Sequence, residues 1–199
     1  MPKIIIATGN KGKLLEIQAL LKDPGLTLLL PAELGIQLDV EESGSTYETN
    51  AAVKAMAFAC ASGLLSLADD SGLEVDALGG LPGVRSARFS PLPDANDADR
   101  RRYLLERLAG IPRPWTARFH CTVALARADG KLRFAHGECQ GEIIPEERGQ
   151  NGFGYDPIFL FPELGRTMAE LSMEEKNQLS HRARAVQAAR PILLELLAG

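Results

Sequence analysis

Four groups of residues have types and spacings that could do chemistry. Thr8-Gly9-Asn10-Lys11-Gly12-Lys13 lies between a short apolar, β-branched run and the start of a helical pattern. At such a turn the free backbone amides and the positive end of the helix dipole attract an anion. Gly9 and Gly12 admit close approach, and Lys11 and Lys13 add charge. The glycines stand too close together for a Walker A loop, and no Ser or Thr follows Lys13. Taken alone, the segment is equally an ordinary strand-to-helix turn with solvated lysines. The second group is acidic: Glu41-Glu42 in a polar stretch, and Asp69-Asp70 directly after an apolar run. Carboxylates at the carboxyl end of a strand in an α/β sheet stand where ligands bind, and hard oxygen ligands suit Mg²⁺. The alternatives are surface charge for the glutamates and a turn cap for Asp69. Two adjacent carboxylates ending a buried strand need a counter-charge.

The third group is Asn151-Gly152-Phe153-Gly154-Tyr155-Asp156, where glycines on both sides of Phe153 suggest an aromatic face presented to a flat base. A turn with a core aromatic is the alternative. The fourth is Lys176 with Ser180-His181-Arg182, polar groups near a helix start that could donate to a carbonyl or a phosphate. A solvated helix face is the competing reading, and the only one offered for Arg100-Arg101-Arg102. No His/Cys cluster suits a softer metal: His120 and His136 fall in predicted strands and His181 is remote. Together the four groups make the inventory of a nucleoside triphosphate site. No candidate nucleophile has a base beside it, so attack by a metal-activated water is the economical mechanism.

These groups must be positioned by recognisable elements. Residues 4–7 and 26–30 read as buried strands around a helix on Leu14, Ile17, Leu20 and Leu21, a strand-helix-strand opening that belongs to α/β proteins. Ser45-Thr46-Tyr47-Glu48 has the form of a capping box. It predicts an alanine-rich helix to about Ser62, stopped by Gly63. Residues 64–68 form a strand that ends at Asp69. Residues 79–83 are loop, and 98–108 are helical. Residues 117–126 and 132–140 alternate as strands around the turn Ala128-Asp129-Gly130-Lys131. A strand near 157–160 precedes a long helical C-terminus that Pro191 should kink or restart.

Composition sets the outer limits. The chain has 199 residues, a hydrophobic fraction of 45% and a net charge of −4. That is enough apolar residue for a sizeable core, and the charge argues against a protein that coats nucleic acid. Cys60, Cys121 and Cys139 form no CxxC pair and read as buried hydrophobes rather than a disulfide or zinc framework. No run approaches the length of a membrane span, and the start does not read as a signal peptide. A cytoplasmic chain with no membrane partner is the expectation.

Five ordered segments now permit a family comparison. ATGNKGKLLEI (7–17), TYETNAAVKA (46–55), LADDSGLEVDALGGLPGVRSARF (67–89), FGYDPIF (153–159) and EEKNQLSHRARA (174–185) resemble the inosine triphosphate pyrophosphatase family across nearly the whole chain. The resemblance implies hydrolysis of noncanonical purine nucleoside triphosphates (ITP, dITP and XTP) between the α- and β-phosphates. The products are a nucleoside monophosphate and pyrophosphate, Mg²⁺ is required, and the nucleotide pool is cleansed. It also implies a single domain with an elongated mixed β-sheet flanked by helices, two lobes with a central substrate cleft, and a homodimer.

By residue, the resemblance implies substrate binding by Thr8, Gly9, Asn10, Lys11, Gly12, Lys13, Lys54 and Arg88. It implies nucleotide contacts by Ser71, Phe153, Gly154, Tyr155, Asp156, Lys176, His181 and Arg182. Asp70 matches the metal ligand and proton acceptor, and Glu41 the other metal position, with Glu42 adjacent and able to exchange roles. A 6-oxo base accepts hydrogen bonds that His181 or Arg182 could donate, whereas adenine would leave such donors unpaired. Rival readings are a pyrophosphatase for other damaged nucleotides and a nucleotide sensor without turnover. Binding to nucleic acid is disfavoured by charge.

Overall fold

Three consecutive isoleucines make the first strand. β1 (Lys3–Ile6) buries Ile4, Ile5 and Ile6 completely, as successive side chains can only when both faces of a strand are covered. The computed structural model describes residues 1–198. In it β1 pairs in parallel with β2 (Thr27–Leu29) and β3 (Leu65–Val75). With β4 (Trp115–Ala126), β5 (Leu132–Ile143), β6 (Phe159–Phe161) and β7 (Arg166–Thr167) they form a seven-stranded sheet ordered β2-β1-β3-β4-β5-β6-β7. β5, β6 and β7 pair antiparallel, so the sheet is mixed, as expected. The helices are α1 (Lys11–Leu20), α2 (Tyr47–Ser62), α3 (Asp97–Leu108), α4 (Met173–Leu179) and α5 (His181–Ala198). No helix among the described residues is long and apolar enough to cross a membrane.

The chain divides into two compact units. The first contains Met1–Asp70, Cys121–Gly137 and the residues from Arg182 onward; the second contains Ser71–His120 and Glu138–His181. In the first unit, strand parity sorts the core into two faces. Ile4, Ile6, Leu65, Leu67, Val123 and Leu125 meet Ile17 of α1 and Val186 and Leu193 of α5. The alternate residues Ile5, Ala7, Ala68, Ala124 and Ala126 meet Ala51, Ala55 and Ala59 of α2. Alanine on both sides lets α2 lie close to the sheet. The second unit has its own core, in which Leu73 and Val75 of β3 pack with Leu104 and Leu108 of α3, Trp115 and Phe159.

Three expectations are corrected. β3 does not stop at Ala68 but runs on through Asp69 and Asp70 to Val75, because a strand is held by its backbone and these carboxylates find partners. The cap of α2 is Thr46, not Ser45: its hydroxyl accepts from the Thr49 N–H while the Thr49 hydroxyl answers the Thr46 N–H, each at 3.2 Å. Gly63 ends the helix with φ 68°, as expected. Pro191 does not restart the helix but stays inside α5, and the helical break falls at Ser180, which is extended. An interior proline costs about 3 kcal/mol. Leu193 and Leu196, buried beyond it, contribute roughly 1.5–3 kcal/mol each, so the helix continues.

Candidate active site

The first unit brings most of the acidic and basic candidates together. Successive residues of a strand point to opposite faces, so parity separates Asp69 from Asp70. Asp69 shares the face of Leu65 and Leu67, towards α1 and α5. There its Oδ2 lies 3.1 Å from Arg182 Nε and 3.2 Å from Lys13 Nζ. Arg182 is fully buried and also pairs with Glu16 of α1. Burial would strip the guanidinium of its charge, but Asp69 and Glu16 hold it above its ordinary value. The counter-charge expected for the aspartate pair is therefore met, and Asp69 is committed to it. This also fixes Arg182: read from sequence as a donor to a nucleobase, it sits inside the first unit on two carboxylates.

Asp70 has the parity of Ala68 and meets α2. It is 5% exposed and accepts from Asn50 Nδ2 at 3.0 Å. Burial raises its pKa above the ordinary carboxylate value against the pull of Lys13, Lys54 and Asn50, and Glu42 pushes it further in the same direction. One turn after Asn50, on the same face of α2, Lys54 donates to the Asp69 carbonyl at 2.7 Å and to Glu42 Oε1 at 3.0 Å. Of the two neighbouring glutamates, Glu42 makes these interactions, whereas Glu41 is exposed. Asn50 also accepts from the Gly44 N–H at 2.8 Å.

The turn after β1 has the form the sequence suggests. Asn10 caps α1, accepting from the Lys13 N–H at 3.0 Å, and Thr8 Oγ1 accepts from the Asn10 N–H at 3.2 Å. Gly9, Asn10 and Lys11 are exposed and Gly12 is half-buried. The helix amides thus open to solvent beside Lys13, and Lys13 reaches Asp69.

The second unit gathers the remaining candidates. Asp156 and Lys176 are buried and paired at 2.5 Å. The same Asp156 oxygen accepts the Phe153 N–H at 2.9 Å, and Lys176 Nζ stands 5.0 Å from the Phe153 ring centroid. Gly152, at φ 75°, gives the loop a turn that L side chains rarely adopt. Gly154 is held at both backbone groups, donating to Asp97 and accepting from Arg101 Nη1, each at 2.8 Å. Arg101 also grips Glu147 at 2.8 Å. It is a clamp for this loop rather than the solvated charge its run suggests.

Tyr155 is buried, which pushes its phenol pKa up, and its hydroxyl donates to the Ser86 carbonyl at 2.9 Å. That anchors the turn Gly83–Arg88, which carries the exposed Arg88. His181 stacks on Phe119 with centroids 4.7 Å apart, and its Nδ1 lies 4.0 Å from Cys139 Sγ. Ser71, the residue after Asp70 in β3, is half-buried.

Sequence reasoning missed Glu16, Asn50, Gly44 and Arg101. Glu16 carries a detectable mark, an acid among the apolar positions of α1. Asn50 and Gly44 gain meaning only once α2 faces β3. Among the described residues no group of three or more His, Cys, Asp or Glu is placed to hold a metal ion alone. Asp70 with Glu42 is an oxygen donor set whose charges oppose each other, which fits a hard cation such as Mg²⁺ that keeps waters and shares its coordination with phosphate.

Known proteins match both the sequence and the fold. Residues 4–192 match the model of the Ham1 family. The dITP/XTP pyrophosphatase of Desulforamulus reducens is 48% identical over 195 residues, covering 98% of this chain and 96% of that protein. That of Geobacter sulfurreducens is 48% identical over 187 residues, covering 94% of each. Among solved structures, a HAM1 protein from Coxiella burnetii superposes with a TM-score of 0.88 at 43% identity, covering 98% of this chain and 100% of that one. The Staphylococcus aureus Ham1 protein gives 0.85 at 39% identity, covering 98% and 99%. With nearly its whole length matched by the family model and by relatives at this identity, the chain belongs to the Ham1 family.

Proposed function

We propose that this chain hydrolyses ITP, dITP and XTP between the α- and β-phosphates, releasing a nucleoside monophosphate and pyrophosphate. The observation that carries the reading is Asp70, a buried carboxylate with a raised pKa beside two lysines and a second carboxylate. Asp70 takes the proton of the attacking water. Asp70 and Glu42 would hold Mg²⁺, which when bound would neutralise charge at the phosphate oxygens. The α1 amides and Lys13 bind the triphosphate. Lys54 exchanges its contact with Glu42 for one with a phosphate.

In the second unit, Phe153 offers its ring to the purine, and Lys176 holds that loop through Asp156. His181 donates to the 6-oxo group through Nε2, since Nδ1 faces Cys139. Arg182 has no part in base selection on this reading, because its guanidinium is committed to Glu16 and Asp69. His181→Ala is expected to lower the preference for ITP over ATP, while Arg182 variants act through stability. The resemblance to a dimeric, cytoplasmic family extends the proposal to a cytoplasmic homodimer, which sedimentation of the purified chain tests for its oligomeric part.

The deciding experiment is pyrophosphate release from ITP, XTP, dITP, GTP, ATP and dUTP, with Mg²⁺ and with chelator. Metal-dependent release from ITP, dITP and XTP, lost in Asp70→Asn, is the expected outcome. Orthophosphate in place of pyrophosphate moves the cut to the γ-phosphate and sinks the proposal. So does ITP binding without turnover.

A further inference from the structure

We infer that Asn50 is the positioning residue of this site: one side-chain amide ties the acidic loop 41–44 to Asp70. Asn50 is 1% exposed, in the first turn of α2. Its Nδ2 donates to Asp70 Oδ2 at 3.0 Å, and its Oδ1 accepts from the Gly44 N–H at 2.8 Å. A carboxylate only accepts and a backbone N–H only donates, so a single orientation of the amide serves both. Asparagine carries a donor and an acceptor at the required separation. Aspartate keeps the acceptor and loses the donor, and alanine loses both.

Gly44 is shaped to this contact from the other side. A Cβ there would stand 2.6 Å from Asn50 Oδ1 and 2.7 Å from Thr49 Oγ1, so the loop approaches the amide only as glycine. Glu42 lies two residues before Gly44 and pairs with Lys54, one turn along α2 from Asn50. Asn50 therefore links the direction of Asp70 to the place of the loop that carries Glu42. Asn50 acts through these two carboxylates and not on the reacting atoms. The kinetic part of the inference rests on the hydrolase reading above; the structural part does not.

The test uses the full chain with Asn50→Asp, Asn50→Ala and Gly44→Ala, reading hydrogen exchange at the residue-44 amide and kcat and KM for ITP. The amide is expected to stay protected in Asn50→Asp and to exchange about tenfold faster or more in Asn50→Ala, as loss of its acceptor implies. A hydrogen bond to an ionised group is at stake at Asp70, so kcat should fall about tenfold to a hundredfold in both Asn50 variants while KM moves less than about threefold. Gly44→Ala should match Asn50→Ala in both readouts. Retained protection of the amide in Asn50→Ala, or retained kcat in Asn50→Asp, would overturn the inference. Should Asn50→Ala not fold, the isosteric aspartate and Gly44→Ala still decide it. A wild-type chain that releases no pyrophosphate removes the hydrolase reading alone, because the exchange measurement continues to report on the strut.

Discussion

Asp69 and Asp70 are the same side chain at adjacent positions, and the structure gives them opposite energetics. Asp69 completes a buried network with Arg182, Lys13 and Glu16, and removing its charge leaves Arg182 short of a partner. Breaking a buried pair of this kind costs about 3–5 kcal/mol, so Asp69→Asn should lower the melting temperature by roughly 10 °C, at ~2–4 °C per kcal/mol for a chain of this size. Burial raises the pKa of Asp70 against the pull of Lys13, Lys54 and Asn50. Its folded-state pKa lies above the unfolded value, so the folded state binds the extra proton between the two. Its charge therefore costs stability progressively as pH rises from the unfolded value through the folded one. At pH 7 that cost is present, and Asp70→Asn should raise the melting temperature while abolishing pyrophosphate release. Thermal melts of the two variants at pH 7 check both signs; a lower melting temperature in Asp70→Asn would contradict the assignment of burial as the dominant cause.

Elements place these side chains, and their ends are testable. The α2 cap is Thr46, so Thr46→Ala should cost about 1 kcal/mol of stability and Ser45→Ala within about 0.5 kcal/mol; denaturant midpoints separate them. At α4, Glu175 caps the helix through the Ser172 N–H and pairs with Arg166, and these bonds draw its pKa from 4.5 down to about 2. A carboxylate depressed in the folded state contributes stability that is present above its unfolded pKa and lost as pH falls towards about 2. Amide exchange at Glu175 and Lys176 should therefore accelerate over that window, and Glu175→Gln should remove the pH dependence.

The same elements show what was legible in advance. α2, its Gly63 stop, the turn at Gly130 and the anion-ready turn before α1 all announce themselves through local chemistry. The length of β3 did not, because polar residues inside a buried strand look like its end until their partners are known. Arg101 misled for the same reason, and the carboxylates that meet Arg182 were hidden by it. A charge reads as solvated until the carboxylate or carbonyl it meets, 46 or 113 positions away along the chain, is in place.

At the scale of the molecule, chain order matters. The first unit is assembled from three separate stretches, the last of which supplies Arg182 and the buried Val186, Leu193 and Leu196. Those three apolar side chains contribute roughly 5–9 kcal/mol, comparable with the ~5–15 kcal/mol that holds a typical domain folded. A chain ending at Ser180 should accordingly show no cooperative melt for this unit by circular dichroism; a sharp transition near that of the full chain would refute the estimate. β3 adds a constraint on how such a chain can vary over generations. Because its side chains alternate, deleting one residue between Leu65 and Asp69 would put Asp70 in the place of Asp69, against Arg182, and Ser71 in the place of Asp70, against Asn50. Deleting two would restore the alternation but leave Asp70 in the place of Ala68, short of Asn50. Substitutions in that stretch can be absorbed one at a time, but its length cannot change without moving Asp70 off Asn50, so the spacing from Leu65 to Asp70 is inherited as a count rather than as particular amino acids.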